Sequence, residues 1–156
     1  MDGGISWILI ALLACALAAA AVSDWRSRII SNRLNGAIAL LAIPFWWASG
    51  LSLWPDVAVQ VGVALAVFLL FALAYHFNAM GGGDVKMAAA LALWLPPLAV
   101  MKLLVIMSLA GGVLTIALLI PHRLARAAGQ PEIPYGIAIA FAGFWLIGER
   151  FLNQFV

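Results

Sequence analysis

Charge is scarce in this sequence. Only 9% of its 156 residues are Asp, Glu, Lys or Arg, while 67% are hydrophobic. A soluble domain of this size has too little interior to hide that much apolar surface. The composition therefore predicts an all-α integral membrane protein. Cysteine is nearly absent. Cys15 stands alone inside an apolar run, which excludes an internal disulfide and any paired CxxC metal site. Cys15 itself reads as a packing residue. No hydrophilic stretch is long enough to make a second folded unit, so a single domain over residues 1–156 is expected. A net charge of only +2 argues against nucleic acid as a partner, and the basic residues read instead as topology signals. The partner that composition does imply is membrane lipid.

A bilayer-spanning helix takes about 20 apolar residues at about 1.5 Å rise each. Six runs qualify as predicted spans: Ile5–Val22, Gly36–Gly50, Val57–Phe77, Val85–Leu95, Leu98–Ile120 and Tyr135–Ile147. The segment "MDGGIS" before the first run has no Lys or Arg, so it lacks the positive n-region of a cleaved signal and the run is kept as a membrane helix. Pro44 is expected to kink the second span, and "LSLWPD" (51–56) to be a short turn before the third. The fourth run is short, about half a hydrocarbon core, and follows three glycines. That predicts a glycine loop dipping below the membrane surface.

With both ends outside, connections 23–35, 78–84 and 121–134 face the cytosol. Arg26, Arg28, Arg33, Lys86, Arg123 and Arg126, six of the eight basic residues, then lie on that side. The positive-inside rule selects this N-out, C-out arrangement. Trp7, Trp46, Trp47, Trp54, Trp94 and Trp145 are expected in interfacial belts, and Gly62 with Ala66 as a close-packing pair.

Two of the six acidic residues stand apart. Asp24 lies in "SDWRSRIISN" after the first span, and Asp84 lies in "GGGDVK" before the fourth. Both fall at cytosolic helix ends, where a carboxylate buried alone is costly and therefore points to a site or an ion partner. Two carboxylates held close share one proton. The ionised member can activate a water and the protonated member can polarise a carbonyl, which suffices for peptide hydrolysis without metal or covalent intermediate. Gly81 and Gly83 would let a substrate backbone approach and permit positive φ. On spacing alone, Asp84 also fits a helix cap, and Asp24 a surface ion pair with Arg26 or Arg28.

Three motifs together are more specific. "GGGDVK" (81–86) resembles the GxGD motif of intramembrane aspartic peptidases, with the lysine usual in prepilin peptidases. "DWRSRIISN" (24–32) resembles that family's D-x-R-x-x-x-I-P-N motif, and "IPYGIAIA" (133–140) its P-Y-G segment. The chain thus resembles a type IV prepilin peptidase, of the short form found with tight-adherence pilus systems. The resemblance implies that Asp24 and Asp84 are the catalytic pair. It implies substrates with a basic leader and a hydrophobic helix, cleaved at the cytosolic face of the bacterial inner membrane. Two departures stand out. Ile30-Ser31-Asn32 replaces Ile-Pro-Asn, which is expected to loosen entry into the second helix. The cysteine-bearing insertion of the longer methylating enzymes is also missing, so peptidase activity without N-methylation, zinc or other cofactor is expected.

Of the remaining residues, Lys86 either tunes an aspartate or is a topology lysine. Asn32 either hydrogen-bonds across the site or caps the second helix, with capping the expectation. Tyr135 sets the start of the last helix and could orient an aspartate. Trp25, beside Asp24, is the tryptophan of interest. His76, His122 and Glu132 show no spacing suited to a metal. The rival reading is a small carrier or assembly subunit that binds a cation or proton through Asp24 and Asp84. A carrier wants its site near the midplane, whereas both aspartates fall at one face.

Overall fold

The computed structural model describes residues 3–124 and 133–152. Within them are six helices and no strand: α1 (Gly3–Ser27), α2 (Asn32–Ala48), α3 (Ala58–His76), α4 (Gly82–Ala92), α5 (Pro97–Leu124) and α6 (Tyr135–Leu152). Three stretches are long and apolar enough to cross a membrane: Gly4–Ser27, Leu53–His76 and Pro97–Ile120. Their side chains largely face outward; Leu65, Leu69, Leu73, Val105, Leu109 and Val113 are all exposed. Against lipid this is no liability, because lipid tails are as apolar as leucine.

Helix ends depart from the apolar runs in an informative way. α1 continues past Val22 through Ser23–Ser27, so Asp24 sits inside its last turns rather than in a loop. The α1–α2 connection is only Arg28–Ser31. Arg28 takes the left-handed conformation, φ +55°, and its N–H donates to the Asp24 carbonyl, which stops the helix. Ser23 Oγ then donates to the Ile29 carbonyl at 2.7 Å and holds the chain where it turns back. Ser31, not Asn32, caps α2: its hydroxyl accepts from the Leu34 N–H at 3.2 Å. Ser31 thus satisfies a first-turn amide of α2 by a hydrogen bond. α2 remains helical through Pro44. The chain turns at 51–56 as expected: Trp54 is extended, φ −133° and ψ 128°, and Asp56 closes the turn ahead of α3, its Oδ2 accepting from the Ser52 N–H and hydroxyl.

α4 occupies the centre. It packs against α2, α3 and α6, and α6 in turn packs against α1 and α5. Most of α4 is buried, including Val85, Met87, Ala88 and Leu91. Its 11 residues make a rod of about 17 Å whose terminal carbonyls lack helical partners. In a water-poor interior these must be satisfied by protein. Trp46 Nε1 donates to the Leu93 carbonyl at 2.8 Å, and Trp94 Nε1 donates to the Ile38 carbonyl at 2.9 Å. These two indoles tie the far end of α4 to α2. They are internal bonds, not members of an interfacial belt, which corrects the expectation for Trp46 and Trp94. Trp47, Trp54 and Trp145 do face outward. Gly62 meets no neighbouring atom and so makes no close helix contact within the chain, and Cys15 is exposed on α1 rather than packed inside.

Candidate active site

Asp24 and Asp84 are brought together. They are 4% and 7% exposed, and both line one recess of about 170 Å³ with Arg28, Ile30 and Gly81–Gly83. The recess lies where the C-terminal end of α1 meets the N-terminal end of α4. Their carboxylates interact directly through their charges.

α6 supplies the third wall. The Gly136 backbone amide faces both carboxylates, and the Ile137 amide faces Asp24 as well. Both amides belong to the first turn of α6, and the Ile137 amide also donates to the Pro134 carbonyl at 3.2 Å. Asp24 lies at the N-terminal end of α6, where the helix dipole favours negative charge in the recess. Asp24 Oδ2 is nevertheless buried without a well-formed hydrogen bond of its own, so one oxygen remains open to an incoming donor.

Close approach explains two glycines. A Cβ on Gly136 would lie 2.5 Å from Ile30 Cδ1 and 2.8 Å from Asp24 Oδ2. A Cβ on Gly83 would lie 3.2 Å from Ile30 Cβ and 3.3 Å from its carbonyl oxygen. The lack of a side chain at Gly136, and to a lesser degree at Gly83, lets α6 and α4 pack closely on Ile30. None of Gly81–Gly83 has a positive φ, and Gly82 and Gly83 already belong to α4. The expected glycine loop is a helix start with Gly81 as its cap residue. The glycines serve packing, not left-handed turns.

Four other sequence candidates lie outside the recess. Lys86 Nζ donates to Asn32 Oδ1 at 2.7 Å, so these two residues bind one another across the α2–α4 seam. The Tyr135 ring lies against Gly111 of α5, where a Cβ would come within 3.0 Å of Tyr135 Cε1. Trp25 is exposed, with the Arg28 guanidinium 5.7 Å from its ring centre. Arg126 and Glu132 lie outside the described residues, as do the side chains of His122 and Arg123. No cluster of metal-binding side chains occurs among the described residues.

Sequence reasoning missed three participants. Arg28 read as a topology residue or a surface partner of Asp24, yet it lines the recess and its Nη1 is buried without a partner. Asn35 read as the last residue of the polar connection 23–35, yet its Nδ2 donates to the Gly83 carbonyl at 3.0 Å while its Oδ1 is buried and unpartnered. Gly136 stands in the P-Y-G segment, but that segment does not say which helices its glycine faces.

A family model described as the type IV leader peptidase family matches residues 11–116. The chain belongs to the type IV leader peptidase family. The match covers both aspartates and their flanking motifs, and the helices that position them, while α6 lies beyond it. Neither a curated protein nor a solved structure matches the chain. Membership in this leader peptidase family, together with apolar helices long enough to span a bilayer, makes a membrane protein with a leader-peptidase-like function the reading shown.

Proposed function

We propose that this leader peptidase is a membrane-embedded aspartic endopeptidase that removes the basic leader from type IV prepilins of the tight-adherence kind. The observation that carries the reading is the shared recess of Asp24 and Asp84. In the mechanism, one carboxylate is ionised and the other protonated, because two like charges at this proximity are not both favoured. The ionised group accepts a proton from a water as the water oxygen bonds to the scissile carbonyl carbon. The protonated group hydrogen-bonds the carbonyl oxygen. Collapse of the tetrahedral intermediate breaks the C–N bond, and a proton from the pair goes to the leaving amine. Gly136 and the start of α6 keep both acids oriented.

Orientation follows from charge. Arg26, Arg28, Arg33 and Lys86 all cluster at the recess end of the helices, which the positive-inside rule assigns to the cytosol of the inner membrane. A basic leader stays on that side, so its junction with the pilin helix meets the recess. The α1–α2 connection, four residues without cysteine, holds no counterpart of the methylating insertion, and the activity proposed is cleavage without methyl transfer.

The hydrophobic helix of the substrate has a place to lie. An open groove of about 540 Å³ runs between α2, α3 and α4 from Asn32 and Lys86 past Gly36 and Ala39 to Leu65 and Phe68. Asn35 joins it to the recess, since it lines the groove and holds the Gly83 carbonyl. A Cβ at Gly36 meets no atom within 4 Å, so Gly36→Leu fills the groove without disturbing the fold. Its KM for full-length prepilin is expected to rise about tenfold, equivalent to about 1.4 kcal/mol, with kcat unchanged. Equal KM values would remove the groove from the reading.

The direct test is co-expression of the wild-type chain with tight-adherence prepilins, following leader loss by gel shift and the new N-terminus by mass spectrometry. An unshortened pilin contradicts the proposal. The cleavage rate is also expected to follow a bell-shaped pH profile, because the pair must hold one proton and lose one. The two limbs belong to the pair rather than to either aspartate. A single-limbed profile argues against shared acid–base work.

A further inference from the structure

The end of the bundle away from the aspartates holds a cavity of about 510 Å³ that the peptidase reading does not use. The end of α2, the start of α3, the turn after α4, the start of α5 and the end of α6 all contribute to it. Its walls are mostly apolar, with Phe45, Trp94 and Leu98 prominent. Polar atoms are nevertheless sealed into it. Gln60 is 6% exposed, and its Oε1 is buried without a hydrogen-bond partner; Ser49 Oγ is also buried and unpartnered. Buried polar atoms in native folds are almost always paired, so two orphans lining one cavity point to a missing ligand that brings hydrogen bonds.

Charge narrows the choice. Lys102 is ion-paired with Glu149. Arg150 stands 5.2 Å from the centre of the Phe45 ring and pairs with no carboxylate among the described residues. The cavity lining thus holds two cations and one anion, a surplus of one positive charge. Leu98 is 74% exposed at the rim, so the cavity continues into surface that apolar chains can cover.

We propose that this cavity binds a monoanionic glycerophospholipid whose headgroup carries hydroxyls, as in phosphatidylglycerol. The phosphate matches Arg150. The headgroup hydroxyls match Gln60 Oε1 and Ser49 Oγ. An acyl chain runs along Leu98, Trp94 and Phe45. A choline headgroup offers no hydroxyl for the orphaned oxygens. An ethanolamine headgroup brings its ammonium towards Lys102 and Arg150. A free phosphate ion leaves the apolar walls uncovered.

The test uses the full chain purified in detergent and native mass spectrometry, with no dependence on cleavage. Dioleoyl phosphatidylglycerol is offered in competition with dioleoyl phosphatidylethanolamine and dioleoyl phosphatidylcholine. The expected result is one retained phosphatidylglycerol per chain, preferred over either competitor by about tenfold. That preference disappears in Arg150→Met and in Gln60→Leu. Equal retention of the three lipids by the wild-type chain overturns the proposal without recourse to any variant. So does an unchanged preference in both variants, or displacement of the lipid by inorganic phosphate at equal concentration.

Discussion

Replacing Asp24 with Asn, or Asp84 with Asn, is expected to slow leader cleavage by roughly 10²–10⁴-fold, the range that positioned acid–base groups contribute. Each substitution keeps the shape of the side chain and removes its capacity to exchange a proton. In the proposed mechanism neither acid works alone, because one must be ionised when the other is protonated. The double variant is therefore expected to be little worse than either single one, as happens for groups that act as a unit. KM for prepilin should stay near the wild-type value, since the groove between α2, α3 and α4 is untouched. Rates on full-length prepilin in vesicles, with thermal unfolding as a check on the fold, decide the matter. A folded variant at either position that cleaves at near wild-type rate would refute the paired-acid mechanism.

The second large effect is expected at a position with no chemical function of its own. In Gly136→Ala the new methyl group falls 2.5 Å from Ile30 Cδ1 and 2.8 Å from Asp24 Oδ2. The tip of an isoleucine can rotate aside. The Asp24 carboxylate has less room, since it is buried in the recess that it shares with Asp84 and Arg28. Displacement of a reacting group by about 1 Å costs on the order of 10²-fold, so kcat is expected to fall by about that factor while KM holds. Stability should fall less, because alanine is favoured over glycine within a helix by about 1 kcal/mol. Gly112→Ala is the matched control: it is also helical, but its added Cβ meets open space, and its activity is expected to stay at the wild-type level. Parallel losses of kcat and thermal stability at Gly136 would point to misfolding instead of misplaced chemistry.

Much of the helix order was legible because apolar runs and their polar breaks are long-range signals. Helix ends were less so. A run ends where apolar residues stop, but α1 continues through Ser23–Ser27, since helical hydrogen bonds do not require apolar side chains. Asp24 consequently sits in a helical turn, where its position is fixed. Family membership was legible in "GGGDVK" and "DWRSRIISN", and the matched residues span both. The contributions of Arg28, Asn35 and Gly136 were not legible. Each depends on which helix packs beside it, and a single sequence does not state that. The tryptophans show the same limit: Trp46 and Trp47 are neighbours in sequence, yet one binds the end of α4 and the other is 86% exposed.

The central placement of α4 bears on how the site responds to its surroundings. A spanning helix longer than the local hydrocarbon thickness tilts to fit. α1 has 25 residues, about 38 Å at helical rise, and carries Asp24 in its last turns. α4 carries Asp84, spans no bilayer by itself, and is enclosed by α2, α3 and α6. Membrane thickness therefore acts on one carboxylate through its helix and reaches the other only through packing. Mechanically, the recess is a joint between a part fixed to the lipid and a part shielded from it, with the Gly136 amide as the contact common to both.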